Sequence, residues 1–157
     1  MIDALERLVD AMRQELQHYG EMLRLLDYQH QFIMVRATEE VFQSIAGIQT
    51  QGATIQNARA HREECQRDIA RLVLQPDNAG FPILIPLVLA DYRPLIKALG
   101  DENDELLFRV RERAGENHLL LSHTVKVMQD LLNTLAPSRE TRVDDGNGTP
   151  HIYTHQP

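Results

Sequence analysis

Apolar side chains recur at alternating steps of three and four positions along the first part of the chain. This spacing places them on one face of an α-helix and is typical of the a and d positions of a coiled coil. Only His30 interrupts the line. The pattern predicts a long amphipathic helix from about Ile2 to about Val35, with a seam formed by Ile2, Leu5, Val9, Met12, Leu16, Tyr19, Leu23, Leu26, His30 and Ile33.

A second long helix is predicted from Thr38 to about Leu74. Thr38 is the expected N-cap, and the two acids that follow it face the positive end of the helix dipole. The seam of this helix is weaker than the first, because Arg59 and Arg62 fall on it and Gly47 and Gly52 each cost roughly 1 kcal/mol relative to alanine. We therefore expect its middle to be the loosest part of the bundle.

The next segment combines turn residues with prolines. The stretch QPDNAG is turn chemistry, and the apolar segment Phe81–Leu99 contains Pro82, Pro86 and Pro94, which one helix cannot accommodate. We expect two short helical pieces here, the second ended by Gly100. Their apolar content suggests a lid over the end of the bundle.

A third long helix is predicted from Asp101 to Leu135, with Pro137 just past its end. Residues 138–157 are almost free of apolar side chains and rich in Gly, Pro, Asp and Thr, which favours a flexible tail. The predicted fold is all-α: three long helices, up-down-up, in an antiparallel coiled-coil-like bundle. Short proline-broken helices precede the third helix, residues 1–137 form one domain, and 138–157 form the tail.

The apolar residues of the third helix cover an unusually wide arc. At 100° per residue, those between 117 and 135 span about 160°, whereas a helix that packs one face on a core shows roughly 100°. Two neighbouring helices could cover this arc, but Arg59 and Arg62 leave the second helix short of apolar surface. We expect part of the arc to be core, and its edge at Leu120, Val127 and Leu131, with Leu119 outside it, to be kept for a partner.

Composition and charge exclude several classes of protein. With 157 residues, 43% of them hydrophobic, the chain is long enough for one domain with a real core. Its net charge of −7 argues against nucleic-acid binding by a basic face. The apolar run FPILIPLVLA is too short to span a bilayer, and the N-terminus has acids where a signal peptide is basic. A single cysteine fits a reducing compartment, so we expect a cytoplasmic protein.

Catalytic and cofactor motifs are absent from the sequence. There is no glycine-rich phosphate loop, zinc-protease motif or paired-cysteine pattern. His61 and Cys65, four residues apart, are a minor metal candidate against the simpler interpretation of a half-buried cysteine beside a surface histidine. His30 is interpreted as a satisfied, partly buried imidazole. Asn117, on the third seam, is either a buried amide that fixes register or a polar anchor in a binding groove.

The stretch from Asn117 to Pro137, NHLLLSHTVKVMQDLLNTLAP, resembles the FlgN-type flagellar export chaperone family. Family members carry an Asn, a Leu pair three and four residues later, and an amphipathic helix closed by Leu-x-Pro. The residues that match that order here are Asn117, Leu120, Leu121, Leu131, Leu135 and Pro137. The two long heptad helices upstream and the charged segment HREECQRDI are similar to the rest of the family plan.

The resemblance implies a protein that is not an enzyme, has no cofactor, and binds the C-terminal helical segments of flagellar hook-associated proteins in the cytoplasm. Binding prevents their premature assembly and delivers them to the type III export gate. Some members use a Tyr after the helix-ending proline at the gate. This chain has Val143 at that distance, so Tyr153 is the candidate. The candidate partner-binding residues are Asn117, Leu119, Leu120, Leu121, Val127, Met128, Leu131, Leu132 and Leu135.

A second hypothesis is a self-associating structural coiled-coil protein, in which the surplus apolar surface closes a homodimer. The sequence does not identify the hook-associated protein that is bound, the affinity, the oligomeric state or the role of Phe81–Leu99.

Overall fold

All regular elements in the part of the chain that the structure describes are helices. The computed structural model describes residues 1–135, and within them there is no strand, which confirms the predicted all-α class. The expected tail, 138–157, lies outside the described residues. The elements are α1 Ile2–Met34, α2 Thr38–Leu72, α3 Phe81–Leu84, two 3-10 turns at Ile85–Leu87 and Ala90–Tyr92, and α4 Arg93–Leu135.

The chain divides into two compact units, Met1–Leu120 and a second one that begins at Leu121. The boundary falls within α4, which is assigned as one helix of 43 residues. The expected division between a domain over 1–137 and a tail over 138–157 stays a prediction.

Within Met1–Leu120 the three long helices alternate in direction. Contacts between α1 and α2 pair Gln29 with Ser44 and Arg7 with Asp68, so the two helices are antiparallel. Asn103 and Asn117 of α4 each donate to a carbonyl group of α1 that lies 91 positions earlier in the chain, at Met12 and Leu26 respectively. A constant offset means that α1 and α4 run parallel. The predicted up-down-up order is therefore what the helices adopt in this unit.

The hydrophobic core lies at the end of the bundle where α1 starts and α2 finishes. It is built from the first turns of α1, the last turns of α2, the proline-rich segment and the start of α4. In α2 only Cys65, Ile69 and Ala70 are buried, and no residue before Cys65 is. Burial in α2 is therefore confined to its last turns, and the expectation that its middle is the loosest part of the bundle stays a prediction. The largest fully buried side chains are Leu5, Leu8, Met12, Ile69, Leu84, Ile96 and Asn117.

The turn between α1 and α2 differs from expectation at the cap. Thr38 was the expected N-cap, but α2 starts at Thr38 itself, its N-cap is Ala37, and no side chain caps the helix. The carbonyl of Ala37 accepts the first helical bond, from Val41. The preceding turn explains the shift, because the Ala37 amide reaches back to Phe32 and the Arg36 amide to Ile33 in a Schellman motif. The amide of Ala37 thus takes part in the motif that ends α1, and its carbonyl accepts the first hydrogen bond of α2.

The second Schellman motif ends α2 with a leucine in a left-handed conformation. Leu74 has φ 57°, its amide bonds to Arg71, and the Gln75 amide bonds to Ala70. This is the position where helices usually place glycine, because a Cβ costs roughly 1–2 kcal/mol there. The Leu74 side chain is 90% exposed, so it recovers little of that cost by packing.

Leu74→Gly is therefore expected to stabilise the protein by about 0.5–1 kcal/mol, since relief of strain exceeds the added entropy of the unfolded chain. Chemical denaturation measures the change. Leu72→Gly is the matched control, because Leu72 is also exposed but lies in the helical conformation. We expect it to destabilise the protein by about 0.5–1 kcal/mol. The same sign for both variants would show that the left-handed backbone is not the cause.

The proline-rich segment closes the core as a lid, as its composition suggested. Its inward side chains Leu84 and Val88 are buried, and Phe81, Ile85 and Tyr92 pack against the core. The prolines stand where they remove no helical bond: Pro82 is in the first turn of α3 and Pro86 is in the first 3-10 turn. The helical elements here are short because a proline is tolerated in the first turn of a helix but not in its interior.

The third long helix begins earlier than predicted. It starts at Arg93 rather than Asp101, and Gly100 lies inside it instead of ending a shorter helix. Pro94 is in the first turn, where a missing amide hydrogen has no consequence. Gly100 keeps a negative φ, and the ion pair from Lys97 to Asp101 spans it at 2.7 Å. Met12 occupies the space beside the glycine, 3.9 Å from where a Cβ would stand.

Candidate partner-binding face

The last part of α4 is an amphipathic helix whose apolar side is exposed. In the unit that begins at Leu121, the side chains of Val127 and Leu131 are each 49% exposed and that of Leu135 is 73% exposed. Leu121 is half-buried, and no residue after it in α4 is buried. We call the following set the exposed α4 face: Val125, Val127, Met128, Leu131, Leu132 and Leu135.

The exposed α4 face keeps the full width that the sequence indicated. At 100° per residue it runs over about 160°, with Val127 at one edge and Val125 at the other. No charged residue lies within it. Lys126, Gln129, Asp130 and Asn133 occupy the opposite side. The expectation that part of the arc between 117 and 135 belongs to a core holds at Asn117, which is buried, whereas Val125 to Leu135 are all exposed. At 43 residues α4 is longer than α1 and α2, which have 33 and 35.

The predicted residues upstream of this face have separate environments within Met1–Leu120. Leu119 is 70% exposed, as its position outside the arc indicated. Leu120 is half-buried. Asn117 is 2% exposed and is the buried residue nearest to the exposed α4 face in sequence. The predicted set therefore comprises an exposed group, two half-buried leucines and one buried amide.

Asn117 is the centre of a buried hydrogen-bond network that joins α1 and α4. Its side-chain amide donates to the carbonyl of Leu26 at 2.9 Å and to the side-chain oxygen of Gln29 at 3.1 Å. Its oxygen accepts from His30 Nδ1 at 3.0 Å, because an amide oxygen cannot donate. Both amide hydrogens are thus engaged inside the fold. This geometry fits a register-fixing amide, and it gives His30 the satisfied, partly buried environment predicted for it.

The network continues into α2. Gln29 donates to Ser44 Oγ at 2.9 Å, and Ser44 donates to the carbonyl of Val41 at 2.6 Å. Each side chain in this series accepts one hydrogen bond and donates the next. A shift of one helix along another would therefore leave several buried polar atoms without partners. Such a loss costs about 1–3 kcal/mol per group. The layer therefore holds three helices in one register.

A second buried polar cluster links α1 to the end of α2. Glu15 is almost fully buried and accepts from Arg62 Nε at 2.8 Å and from the Tyr19 hydroxyl at 3.0 Å. Arg62 also donates to Gln66, which in turn bonds to the carbonyl of Ala79. The sequence places Arg62 on the seam of α2, where an apolar side chain is expected, and in the structure it lies there paired with the buried carboxylate of Glu15. One feature of the sequence indicates this pairing: the acid Glu15 stands directly beside a seam position of α1, the helix that faces Arg62.

Tyr19 carries a pH-dependent part of the stability. Burial, together with the charge of Glu15 and its hydrogen bond, raises the pKa of Tyr19 to about 12, from 10.0. As the pH rises, the Tyr19 hydroxyl loses its proton in the unfolded chain before it does so in the folded protein. The stability that this raised pKa provides is therefore complete below pH 10 and is lost as the pH rises toward 12.

Denaturation curves between pH 8 and 12 should show this loss, on the order of 2 kcal/mol from this group. Tyr19→Phe is expected to flatten the profile in that range and to lower stability at pH 8 by about 1 kcal/mol through the lost bond. Tyr28→Phe is the control, because Tyr28 is exposed. An unchanged slope in Tyr19→Phe would contradict the assignment.

A cleft of about 240 Å³ lies beside this cluster, between α1, α2 and α4 of Met1–Leu120. Its walls include Tyr19, Asn103 and Asp104, together with the Glu15–Arg62 pair. Because that pair neutralises itself and the remaining lining is mixed in polarity, the walls do not select one ligand charge. The lining of the cleft therefore does not identify a ligand.

Cys65, the minor metal-site candidate with His61, is a residue of the hydrophobic core. Cys65 is buried with Ile69 and Leu8, and burial raises the pKa of its thiol above the ordinary value. Its sulfur lies 4.0 Å from His61 Nε2. Among residues 1–135, no group of three or more His, Cys, Asp and Glu side chains could hold a metal ion. Across the same residues, no helix has the length and apolar content needed to cross a membrane.

Comparison with known protein families identifies a match. A family model described as FlgN protein matches residues 1–149, which is nearly the whole chain. No curated protein and no solved structure matches it. Tyr153, the candidate for the export-gate contact, lies outside both the described residues and the matched range.

Proposed function

The chain belongs to the FlgN family of flagellar export chaperones, and on this premise we propose that it binds the C-terminal helical segments of flagellar hook-associated proteins. It does so in the cytoplasm, keeps those segments from assembling early, and delivers them to the type III export gate. The family is one of chaperones and not of enzymes. We place the partner on the exposed α4 face.

The observation that carries this proposal is an uncharged apolar helix face left open to solvent. Six large side chains are exposed within eleven consecutive positions of α4, from Val125 to Leu135. Scattered single hydrophobic residues on a surface need no explanation, but a contiguous apolar patch marks an interaction site. Helical recognition reads such a patch through anchors on one face of the helix.

The size of the face supports reversible binding. The segment from Leu121 to Leu135 is about 22 Å long at 1.5 Å per residue, and 160° of its circumference is about 15 Å wide. The product, roughly 330 Å², is well below the ~800 Å² that each partner buries in a stable complex. This area belongs to a weak or transient contact. A chaperone that must release its cargo at an export gate requires that class of affinity.

Co-purification with defined cargo tests the proposal. The chain and tagged C-terminal segments of the hook-associated proteins from the same genome are produced together. We expect at least one segment to retain the chain at micromolar concentration and to remain soluble with it. A segment from the flagellar hook protein, taken from the same genome, is the control and should retain none. If every hook-associated segment fails to retain the chain, the proposal is wrong.

The same open face supports the second candidate, a self-associating coiled-coil protein. In that case a second copy would cover the exposed α4 face, and the mass in solution would be twice the 18.0 kDa of one chain. Light scattering across a wide concentration range distinguishes the two functions. A strict monomer excludes self-association as the purpose of this surface.

A further inference from the structure

We infer that the cargo covers the exposed α4 face with two helical segments, one along each edge, rather than with one amphipathic helix. This inference rests on the proposed function and specifies the partner of the same surface. Two segments are required because the face is wide, and its width is the angle that its exposed side chains span around the helix axis.

The two edges of the face are far apart. With 100° between consecutive residues, Val127 and Leu131 lie on one edge, and Val125 and Leu132 lie on the other. Val125 and Val127 are only two positions apart in sequence but about 160° apart around the axis. Met128 and Leu135 lie between the edges. All six side chains are between 49% and 73% exposed, so neither edge is already covered.

One packed neighbour covers roughly 100° of a helix. A single cargo helix centred on Met128 and Leu135 would leave both edges in contact with water. A single helix moved to one edge would leave the other edge bare. Two neighbours side by side cover the full 160°, with Met128 and Leu135 in the groove between them.

A second copy of this chain fits less well than a two-helix cargo. In a dimer joined through this face each α4 gains one helical neighbour, which again covers roughly 100°. Only an assembly of three or more copies would give every α4 two neighbours. A cargo with two helical segments meets the requirement in a complex of one chaperone and one partner.

The borders of the face are polar rather than charged. Around the axis, Thr134 and His123 come first beyond Val127, and Gln129 and Ser122 come first beyond Val125. Both cargo segments therefore need an apolar stripe free of charge where they meet the face.

Cross-linking from the two edges tests the inference. Val125→Cys and Val127→Cys are each labelled with a benzophenone maleimide; the only native thiol, Cys65, is buried and does not compete. The probe is the C-terminal region of a hook-associated protein, long enough to contain two helices. After irradiation, mass spectrometry locates the attached peptides. Lys126→Cys, between them in sequence but on the polar side, is the matched control.

We expect Val125→Cys and Val127→Cys to attach to two different cargo segments, and Lys126→Cys to give less than a tenth of either yield. Attachment of both to the same segment would overturn the two-helix inference and leave the proposed function intact. Attachment to a second copy of the chain would overturn it in favour of self-assembly. No attachment from either position, with no binding in a titration of the unlabelled proteins, would remove the proposed function itself.

Discussion

Arg62→Met is expected to lower the free energy of unfolding by about 3 kcal/mol, the largest stability change predicted for a single residue of this chain. Arg62 is the cation that faces the buried carboxylate of Glu15, at 2.8 Å, and its side chain is itself only 15% exposed. Removing it leaves Glu15 charged and buried with the Tyr19 hydroxyl as a remaining partner. Breaking one side of a buried ion pair typically costs about 3–5 kcal/mol, and the partial exposure of Arg62 places this pair at the low end.

The same helix offers a matched control. Arg59 lies three positions earlier and pairs with Glu63 at 3.2 Å, but both side chains are about half exposed. Exposed pairs of this kind contribute about 0–1 kcal/mol, so Arg59→Met should change stability by less than 1 kcal/mol. Thermal or chemical denaturation measures both variants. Equal losses would contradict the buried role of the Glu15–Arg62 pair.

A double variant separates lost charge from lost packing. In Glu15→Leu/Arg62→Met both partners become apolar, and replacing a whole buried pair is often neutral. We expect this variant to recover most of the stability that Arg62→Met loses. If it stays as unstable as the single variant, the loss comes instead from the packing of the Arg62 side chain, whose guanidinium carbon lies 6.0 Å from the ring centre of Phe81.

Val127→Asp/Leu131→Asp is expected to weaken cargo binding roughly 100-fold, which corresponds to about 2.7 kcal/mol. Both residues are anchors at one edge of the exposed α4 face, and apolar anchors buried in an interface typically contribute 1–2 kcal/mol or more each. Because both side chains are about half exposed in the free protein, we expect stability to change by less than about 1 kcal/mol. Calorimetric titration with the cargo segment gives the affinity, and denaturation gives the stability.

Ser122→Asp/Asn133→Asp adds the same two charges to the polar side of the same helix. Ser122 and Asn133 are exposed and face away from the apolar arc. This control should bind cargo within about threefold of the unaltered chain. Leu120 is not used in the test because it is half-buried, so a charge there would disturb Met1–Leu120 as well as the partner surface. Equal losses in the two double variants would show that charge alone weakens binding and that the face has no special role.

The sequence predicts the helices well because their periodicity is strong and their breakers are unambiguous. The heptad line of α1 predicts a helix that ends within a residue of Met34, and the prolines of Phe81–Leu99 predict short pieces. The sequence predicts the start of α4 wrongly, at Asp101 instead of Arg93, because Gly100 has the appearance of a glycine that ends a preceding helix. Whether such a glycine ends a helix depends on its tertiary contacts, here the contact with Met12 and the ion pair across it.

The candidate site is predicted only in part, for a related reason. Helical periodicity gives the width of an apolar arc but not what covers it, so it does not predict that Asn117 is buried while Val125 to Leu135 are exposed. It also cannot distinguish a solvated arginine from a buried one: Arg59 and Arg62 have the same sequence context, and only Arg62 meets a buried carboxylate. Asn117 was correctly singled out because a polar residue on a seam requires partners wherever it lies.

Methionine-methyl NMR tests the central claim, that the exposed α4 face receives the cargo, most directly. The chain has five methionines, and two of them are exposed to a similar extent: Met128 on the face, at 54%, and Met34 at the end of α1, at 63%. Met12 and Met22 are buried. On titration with the hook-associated segment, we expect the Met128 methyl resonance to shift or broaden while those of Met34, Met12 and Met22 stay in place. A shift of Met34 with Met128 unchanged would contradict the claim.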